Sequence, residues 1–355
     1  VQEQLADPFT ADERERARRY HHPLYLTILV RLLLVVAVYG VFAGHSIKAF
    51  GWAGDAAVWA AAVTAVAAFI TLPLDLWRSL LRERHWGLST QSLPGWFGDR
   101  AKSVLISIVL ASCAWTGLVG VARAAPDWWP LLAAAAAALV VLILTLLAPL
   151  VLEPLFNHFQ PLADEQLAQQ LRLLADQAGV PIRNVLVADA SRRTVKANAY
   201  VSGLGPTRRV VVWDTLLRTA SERELKLVVA HELGHRRERH ILKGTALEIV
   251  AAVVAVLTIR LALGTPQPGD YPIAALLLIG LELVALPFGA AISRRWERTA
   301  DRYSMRLTGD RYAFIQTHLT LARTNLADLD PPRLAYLTLF THPTPPERVA
   351  LANSP

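Results

Sequence analysis

Apolar residues in this chain are bunched into long runs, and polar residues gather in the gaps between them. Six runs, at about 24–44, 53–76, 103–122, 128–152, 245–263 and 272–293, each approach the roughly 20 mostly apolar residues that a helix needs to cross a bilayer core. Between the fourth and fifth runs the pattern changes to that of a water-facing domain. Residues 164–178 (DEQLAQQLRLLADQA) have the spacing of an amphipathic helix, with Asp164 as N-cap and Gly179 closing it. Short β-like runs follow at 185–189, 195–201 and 209–213, and Gly203, Gly205 and Pro206 separate the last two as in a hairpin. A further helix starts at Ser221, where Ser221 and Glu224 have capping-box spacing and Leu225, Val228 and Val229 form an apolar face. The predicted fold class is mainly α: a polytopic membrane protein with about six spanning helices and an α+β domain on one side.

Composition agrees. Of 355 residues, 54% are hydrophobic and only 18% charged, with a mean hydropathy of +0.34, which excludes a disordered chain and argues against a soluble enzyme. The single cysteine, Cys113, excludes an intrachain disulfide and a cysteine-based metal cluster. It lies in an apolar run and is expected to pack there as a small hydrophobe. Arginine outnumbers lysine 31 to 5, a bias that GC-rich coding produces by itself, so the basic charge does not argue for a nucleic-acid partner and none is expected. No pattern in the chain reports an oligomeric state.

Lysine and arginine counts give the orientation. They run four before the first span, then one, five, one, fourteen, none and nine in the successive connections and the C-terminal tail. By the positive-inside rule both termini, the loop between the second and third spans, and segment 153–243 face the cytoplasm of a bacterial-type cell membrane. The expected divisions are a charged cytoplasmic tail (1–23), a four-helix membrane region (24–152), a cytoplasmic segment (153–243), a helix pair (244–293) and a C-terminal segment (294–355). Residues 1–23 are dense in charge and have no apolar core, unlike a secretory signal. Pro73, Pro149 and Pro287 interrupt spans, Arg31 and Arg260 near span ends are expected to snorkel, and Trp128 and Trp129 stand where interfacial anchors would. Glu248 and Glu282 put carboxylates in the spans, where a wet interior cavity is the expected surrounding.

The chemistry centres on HELGH, residues 231–235. Histidines four apart lie one turn apart on one helix face, so both imidazoles reach one metal ion. Glu232 is rotated by about 100°, which suits it to take a proton from water beside the metal rather than to bind the metal. Zinc with two histidines needs a third protein ligand. Glu297 and Asp301, in SRRWERTAD (293–301), are four apart on a helix leaving the sixth span. Glu297 suits the ligand position, with Asp301 accepting a hydrogen bond from a ligating imidazole. His240, five residues after His235, has the wrong helical angle for the same ion and is expected at the surface. The other histidines, among them His158 and His318, have no ligand spacing.

HELGH, the downstream ERTAD, ANAYVSGLG, VVVWDTLL and THPTPPER, with APLVLEPLFNHFQPL and RERHWGLS, resemble the type I CAAX prenyl proteases, integral-membrane zinc metallopeptidases of the gluzincin type. The resemblance runs from about residue 24 to 351. It implies one zinc ion on His231, His235 and Glu297, with Glu232 as general base and Asp301 as outer partner or proton donor. It further implies that Asn198 and Ala199 align the substrate backbone, that His342 stabilises the oxyanion, and that Arg348 supports the substrate site. Residues 195–201 are then expected to form an exposed edge strand. Family members enclose a water-filled chamber between membrane helices, and eukaryotic relatives carry a further span ahead of the region matching residue 24. The implied substrate is a peptide or membrane-associated protein cleaved near the cytoplasmic face. A quality-control protease without prenyl recognition and a transporter-like bundle with a structural zinc domain are the competing readings.

Overall fold

All six apolar runs fold as helices, and the helices outrun them. The structure, a computed structural model, describes residues 8–203 and 205–352. The spans belong to α1 (Ala11–Phe42), α2 (Gly51–His85), α3 (Leu93–Ala124) and α4 (Trp129–Phe156). The domain between them adds α5 (Glu165–Gln177), α6 (Asp214–Thr219) and α7 (Glu222–Arg237). The last two spans are α8 (His240–Leu263) and α9 (Tyr271–Thr308). Three short helices follow: α10 (Arg311–Asn325), α11 (Arg333–Leu339) and α12 (Pro345–Ala352).

Residues 11–23, expected as a charged tail, are instead the first turns of α1, opened by a capping box between Thr10 and Glu13; residues 1–7 lie outside the described residues. Pro73 and Pro149 do not end their helices. Pro73 stays within the α-helical part of α2, four residues before a π turn at Trp77–Leu81, and Pro149 lies inside a second π turn, Ala148–Leu152, a form that tolerates a missing N–H. Arg31 does not simply snorkel: its Nε lies 3.0 Å from Asp75, which also binds Arg100. Of the two tryptophans expected as anchors only Trp128 is exposed, at 66%, whereas Trp129 is fully buried. Cys113 is exposed rather than packed.

The six helices touch in a closed ring, α1–α2–α3–α4–α8–α9 and back to α1. They converge at the end away from the α+β domain, where Ala60, Trp115, Val119, Trp129, Ile259 and Ala274 share one core cluster. Toward the other end the ring opens. No residue is buried in 97–114 of α3, 134–156 of α4, 246–255 of α8 or 275–289 of α9. A helix with one lipid face and one packed face would bury a residue every three or four positions. Runs of this length without burial mean that the inner faces border open space as well, in agreement with the expected chamber, and Glu248 and Glu282 lie exposed on these runs.

The α+β domain closes the open end. Its four strands, β1 (Phe159–Pro161), β2 (Asn184–Ala188), β3 (Ala199–Ser202) and β4 (Arg209–Trp213), form one sheet in the order β1-β2-β4-β3. β2 and β4 run parallel, and the β3–β4 hairpin is antiparallel with Ala199 opposite Val212. β3 is an edge strand, as expected, but it is largely buried rather than exposed, and it is shorter than the 195–201 run. Asn325 takes both backbone groups of Ala197, and Leu88 binds the Val195 N–H, so the first half is drawn off the sheet. Asp164 caps α5 through the Leu167 N–H, and Ser221 and Glu224 cap α7 reciprocally, an arrangement worth about 1 kcal/mol. Leu225, Val229 and Leu233 of α7 pack with Leu171 of α5 and Val210 and Val212 of β4 in the domain core.

Gly234 sets how closely α7 meets α9. A Cβ there would lie 3.2 Å from Ala300 Cα and 3.2 Å from the Tyr303 ring. Two outcomes are expected. Gly234→Val should lower the unfolding midpoint and reduce metal content in elemental analysis, because the branched side chain forces the helices apart. In a Cys113→Ser background, Glu282→Cys should react with a membrane-impermeant maleimide in the folded protein; full protection beside a labelled exposed control would mean a dry bundle.

Candidate metal centre and active site

The crossing of α7 and α9 brings four chemistry-bearing side chains together. His231 and His235 project from one face of α7, and Glu297 and Asp301 from one face of α9, each pair one turn apart. His231 Nε2 and His235 Nε2 are 3.1 Å apart, and Glu297 lies 3.3 Å from the first and 3.2 Å from the second. Ligand atoms about 2.0–2.1 Å from a tetrahedral ion stand about 3.3 Å from one another. The triangle therefore has the dimensions of one face of a tetrahedral site. Glu297 Oε2 is buried without a hydrogen-bond partner among the described residues, a cost of about 1–3 kcal/mol that a cation would remove. The donor set fits a metal ion and leaves one position of a four-coordinate site open.

Each imidazole has an outer partner. His231 Nδ1 is 2.9 Å from Asp301 Oδ1. Burial opposes protonation of His231, but Asp301 and Glu297 outweigh it and push its pKa up to about 10; a cation set among the same groups displaces that proton. Asp301 is fully buried and is gripped by Arg348 through Nε at 2.9 Å and through Nη2. An uncompensated buried carboxylate would cost about 3–5 kcal/mol, so the guanidinium is part of the fold as well as of the site. Arg348, expected beside the substrate, is turned onto this inner side instead, where burial is outweighed by Asp301 and its pKa is raised.

The partner of His235 is His240, which is not at the surface. His240 is buried, its Nδ1 is 3.0 Å from His235 Nδ1, and its ring stacks on Trp296 at 5.0 Å and 9°. His240 stays out of the donor triangle, as its helical angle requires, but the expected surface position fails because the helix breaks: Arg239 takes φ 57°, in the left-handed region, and the chain turns back before α8 begins. A tertiary kink of this kind leaves no periodic trace in HRRERH. His318, also without ligand spacing, is buried 3.8 Å from Asp301, and burial holds its pKa well below the usual value.

Glu232 stays outside the donor triangle. Burial raises its pKa, and among the described residues its carboxylate has no hydrogen-bond partner. The edge strand β3 packs on α7. Tyr200 faces Val211 across the hairpin, and Asn198 O accepts from Trp213 N, so the intervening Ala199 turns its backbone outward. The outward Ala199 N–H donates to the Asn198 side chain at 2.9 Å, and Val201 O accepts from Arg236 of α7. The outer edge of β3 thus lies beside the histidine helix as one side of a candidate substrate groove, with Ala199 N–H and Val201 O held by Asn198 and Arg236. On the open side, the exposed His342 ring holds Nε2 3.4 Å from Glu297 Oε1. Its segment is tethered by the buried Arg294 of α9, which donates to Tyr336 O and Phe340 O at 2.8 and 2.6 Å.

Comparison with known proteins agrees with this architecture. The family model "Peptidase family M48" matches residues 161–355, and "CAAX prenyl protease N-terminal, five membrane helices" matches residues 20–158, which here hold four spans. An uncharacterized metalloprotease of Bacillus subtilis is 30% identical over 303 residues, covering 81% of this chain and 71% of that one. CAAX prenyl protease 1 of Saccharomyces cerevisiae is 29% identical, covering 50% of this chain and 40% of its own length. The crystal structure of S. mikatae Ste24p superposes with a TM-score of 0.81 over 98% of this chain and 90% of that one, at 20% identity. The chain belongs to peptidase family M48 and is a polytopic membrane metallopeptidase.

Proposed function

We propose that the chain is a zinc-dependent endopeptidase that hydrolyses peptide bonds in membrane-associated chains, at the cytoplasmic face. The observation that carries this reading is the three-donor triangle of His231, His235 and Glu297 beside the unpartnered base Glu232. A structural zinc site is closed by four protein ligands; three leave room for reacting oxygen, which argues against a transporter with a purely structural zinc domain. When bound, zinc supplies Lewis-acid polarisation of the scissile carbonyl and a lowered pKa for water.

The protein's own groups do the rest. The substrate backbone lies along the outer edge of β3, where Ala199, its N–H released by the Asn198 side chain, offers main-chain pairing that is indifferent to side chains. Water oxygen adds to the carbonyl carbon, and Glu232 takes the proton that the water loses. As the C–N bond breaks, Glu232 passes that proton to the leaving nitrogen. A carboxylate pushed up by burial suits both halves of this task. His342, exposed on the open side of Glu297, donates to the developing oxyanion, while Asp301 and Arg348 hold His231 in orientation from behind. The names of the yeast and plant relatives make a prenylated C-terminal segment one candidate substrate. The groove itself selects extended backbone, which equally suits misfolded membrane chains.

Cleavage of a quenched peptide in detergent tests the reading. His231→Ala, His235→Ala and Glu297→Ala should each lower zinc content and activity together. Glu232→Gln should retain zinc and lose turnover, since an amide cannot accept the proton. Zinc loss in Glu232→Gln alongside full retention in Glu297→Ala would remove the assignment.

The His235–His240 contact yields a separate expectation. His240→Phe keeps a ring on Trp296 but removes the acceptor for His235 Nδ1. It should weaken zinc affinity by roughly 10–100-fold in chelator competition, the usual effect of losing an outer partner. His240→Gln, which retains an acceptor oxygen, should recover part of that loss; equal affinity in both variants and the wild type would leave His240 a packing residue.

A further inference from the structure

Beyond the metal, the turn between α7 and α8 carries an excess of positive charge with no assigned use. A cavity of about 480 Å³ opens beside His235, and its wall includes the guanidinium-bearing residues Arg208, Arg236, Arg237 and Arg239. No carboxylate lines it. Among the described residues, none of the four arginines is ion-paired, and the nearby Glu153 is taken by Arg209 at 3.1 Å and by Ser202 at 2.8 Å. Arg236 donates to Val201 O; Arg208, Arg237 and Arg239 make no side-chain hydrogen bond among the described residues. Four like charges around one concavity repel one another, and a bound anion relieves that repulsion.

The concavity is not wholly polar. Ile241 and Leu242, the second and third residues of α8, form part of its wall, and Leu242 is 60% exposed. A second cavity of about 270 Å³ shares Arg236 and Ile241 with the first. It runs along the end of α4, past Thr145, Ala148, Pro149 and Leu152, with Glu153, neutralised by Arg209, and Gly203 at its rim. The π turn at Ala148–Leu152 shapes this wall, and the neighbouring Leu146, Leu150 and Val151 are all exposed. A basic basin therefore continues into an apolar groove between two spanning helices.

We propose that this composite cavity binds an anionic phospholipid, with its phosphate headgroup among Arg208, Arg237 and Arg239 and an acyl chain along α4 and Ile241. The chemistry is that of basic pockets between membrane helices on the positive side, which take anionic headgroups. A free phosphate would use the arginines alone. The apolar continuation selects an amphiphile. Because Arg236 also binds the outward carbonyl of β3 and follows His235 directly, a seated lipid would border the substrate groove and help set the depth of the metal centre at the interface.

Native mass spectrometry of the full chain in detergent tests this, with phosphatidylglycerol and phosphatidylcholine as probes. The wild type should retain phosphatidylglycerol in preference to phosphatidylcholine. The double variant Arg208→Gln/Arg239→Gln should lose that preference by about 30-fold, near fivefold per guanidinium. Arg208→Lys/Arg239→Lys, which keeps the charge, should retain most of it. An unchanged preference in the Gln pair overturns the proposal, and so does equal loss in the Lys pair, which would mean altered folding. Displacement of the lipid from the wild type by millimolar inorganic phosphate would assign the basin to soluble anions and overturn the lipid reading.

Discussion

The candidate metal site exists because two helices from distant parts of the chain approach within contact of their backbones. Gly234 lies against Ala300, and that close crossing carries His231 and His235 of α7 to within 3.2–3.3 Å of Glu297 on α9. Both helices present their donors one turn apart, so a single crossing point aligns four side chains at once. The same crossing is covered by the domain core on one side, where Tyr303 and Leu307 of α9 pack against it. A metal ion adds affinity to this arrangement; the packing sets its geometry beforehand.

The two imidazoles are backed unequally, and the difference follows from where each partner comes from. His231 leans on Asp301, an anion held in turn by Arg348 from the C-terminal helix α12. His235 leans on His240, a neighbour in sequence brought back by the left-handed turn at Arg239 and fixed by stacking on Trp296. A charged outer partner strengthens its ligand more than a neutral one does. The site thus joins the motif helix, the sixth span, the kink before the fifth span and the last helix of the described chain into one cooperative unit. The loosest member is His342, which reaches Glu297 from an exposed segment tied down mainly through Arg294.

The membrane region supplies position rather than chemistry. Its ring is tightly packed where the helices converge around Trp115 and Trp129, and open toward the α+β domain. α9 runs as one helix from the convergent end through Pro287 to Thr308, so it links the packed base to the candidate metal centre. Glu282 lies exposed on the open part of α9, and water filling the ring would remove the penalty of placing a carboxylate at mid-membrane.

Much of this was legible in the amino-acid order, because local physics governs it. The six spans follow from run length, the α5 and α7 starts from Asp164, Ser221 and Glu224, and the hairpin from its glycines. HELGH places two imidazoles on one helix face wherever that helix sits, and the spacing of Glu297 and Asp301 does the same for the carboxylates. What the order of residues did not reveal depends on contacts between distant segments. His240 is turned inward against His235 where Arg239 breaks the helix; the strand at 195–201 lost its first half to Asn325; and residues 11–23, charged as they are, lengthen α1 and dock against Leu319 and Leu329. Arg348 could face substrate or Asp301 equally well by sequence, and only the buried charge of Asp301 decided it. Periodicity and capping act over a few residues and are written locally. Kinks, ion pairs and outer partners are set by the need of buried polar groups for one another, which the folded chain alone can satisfy.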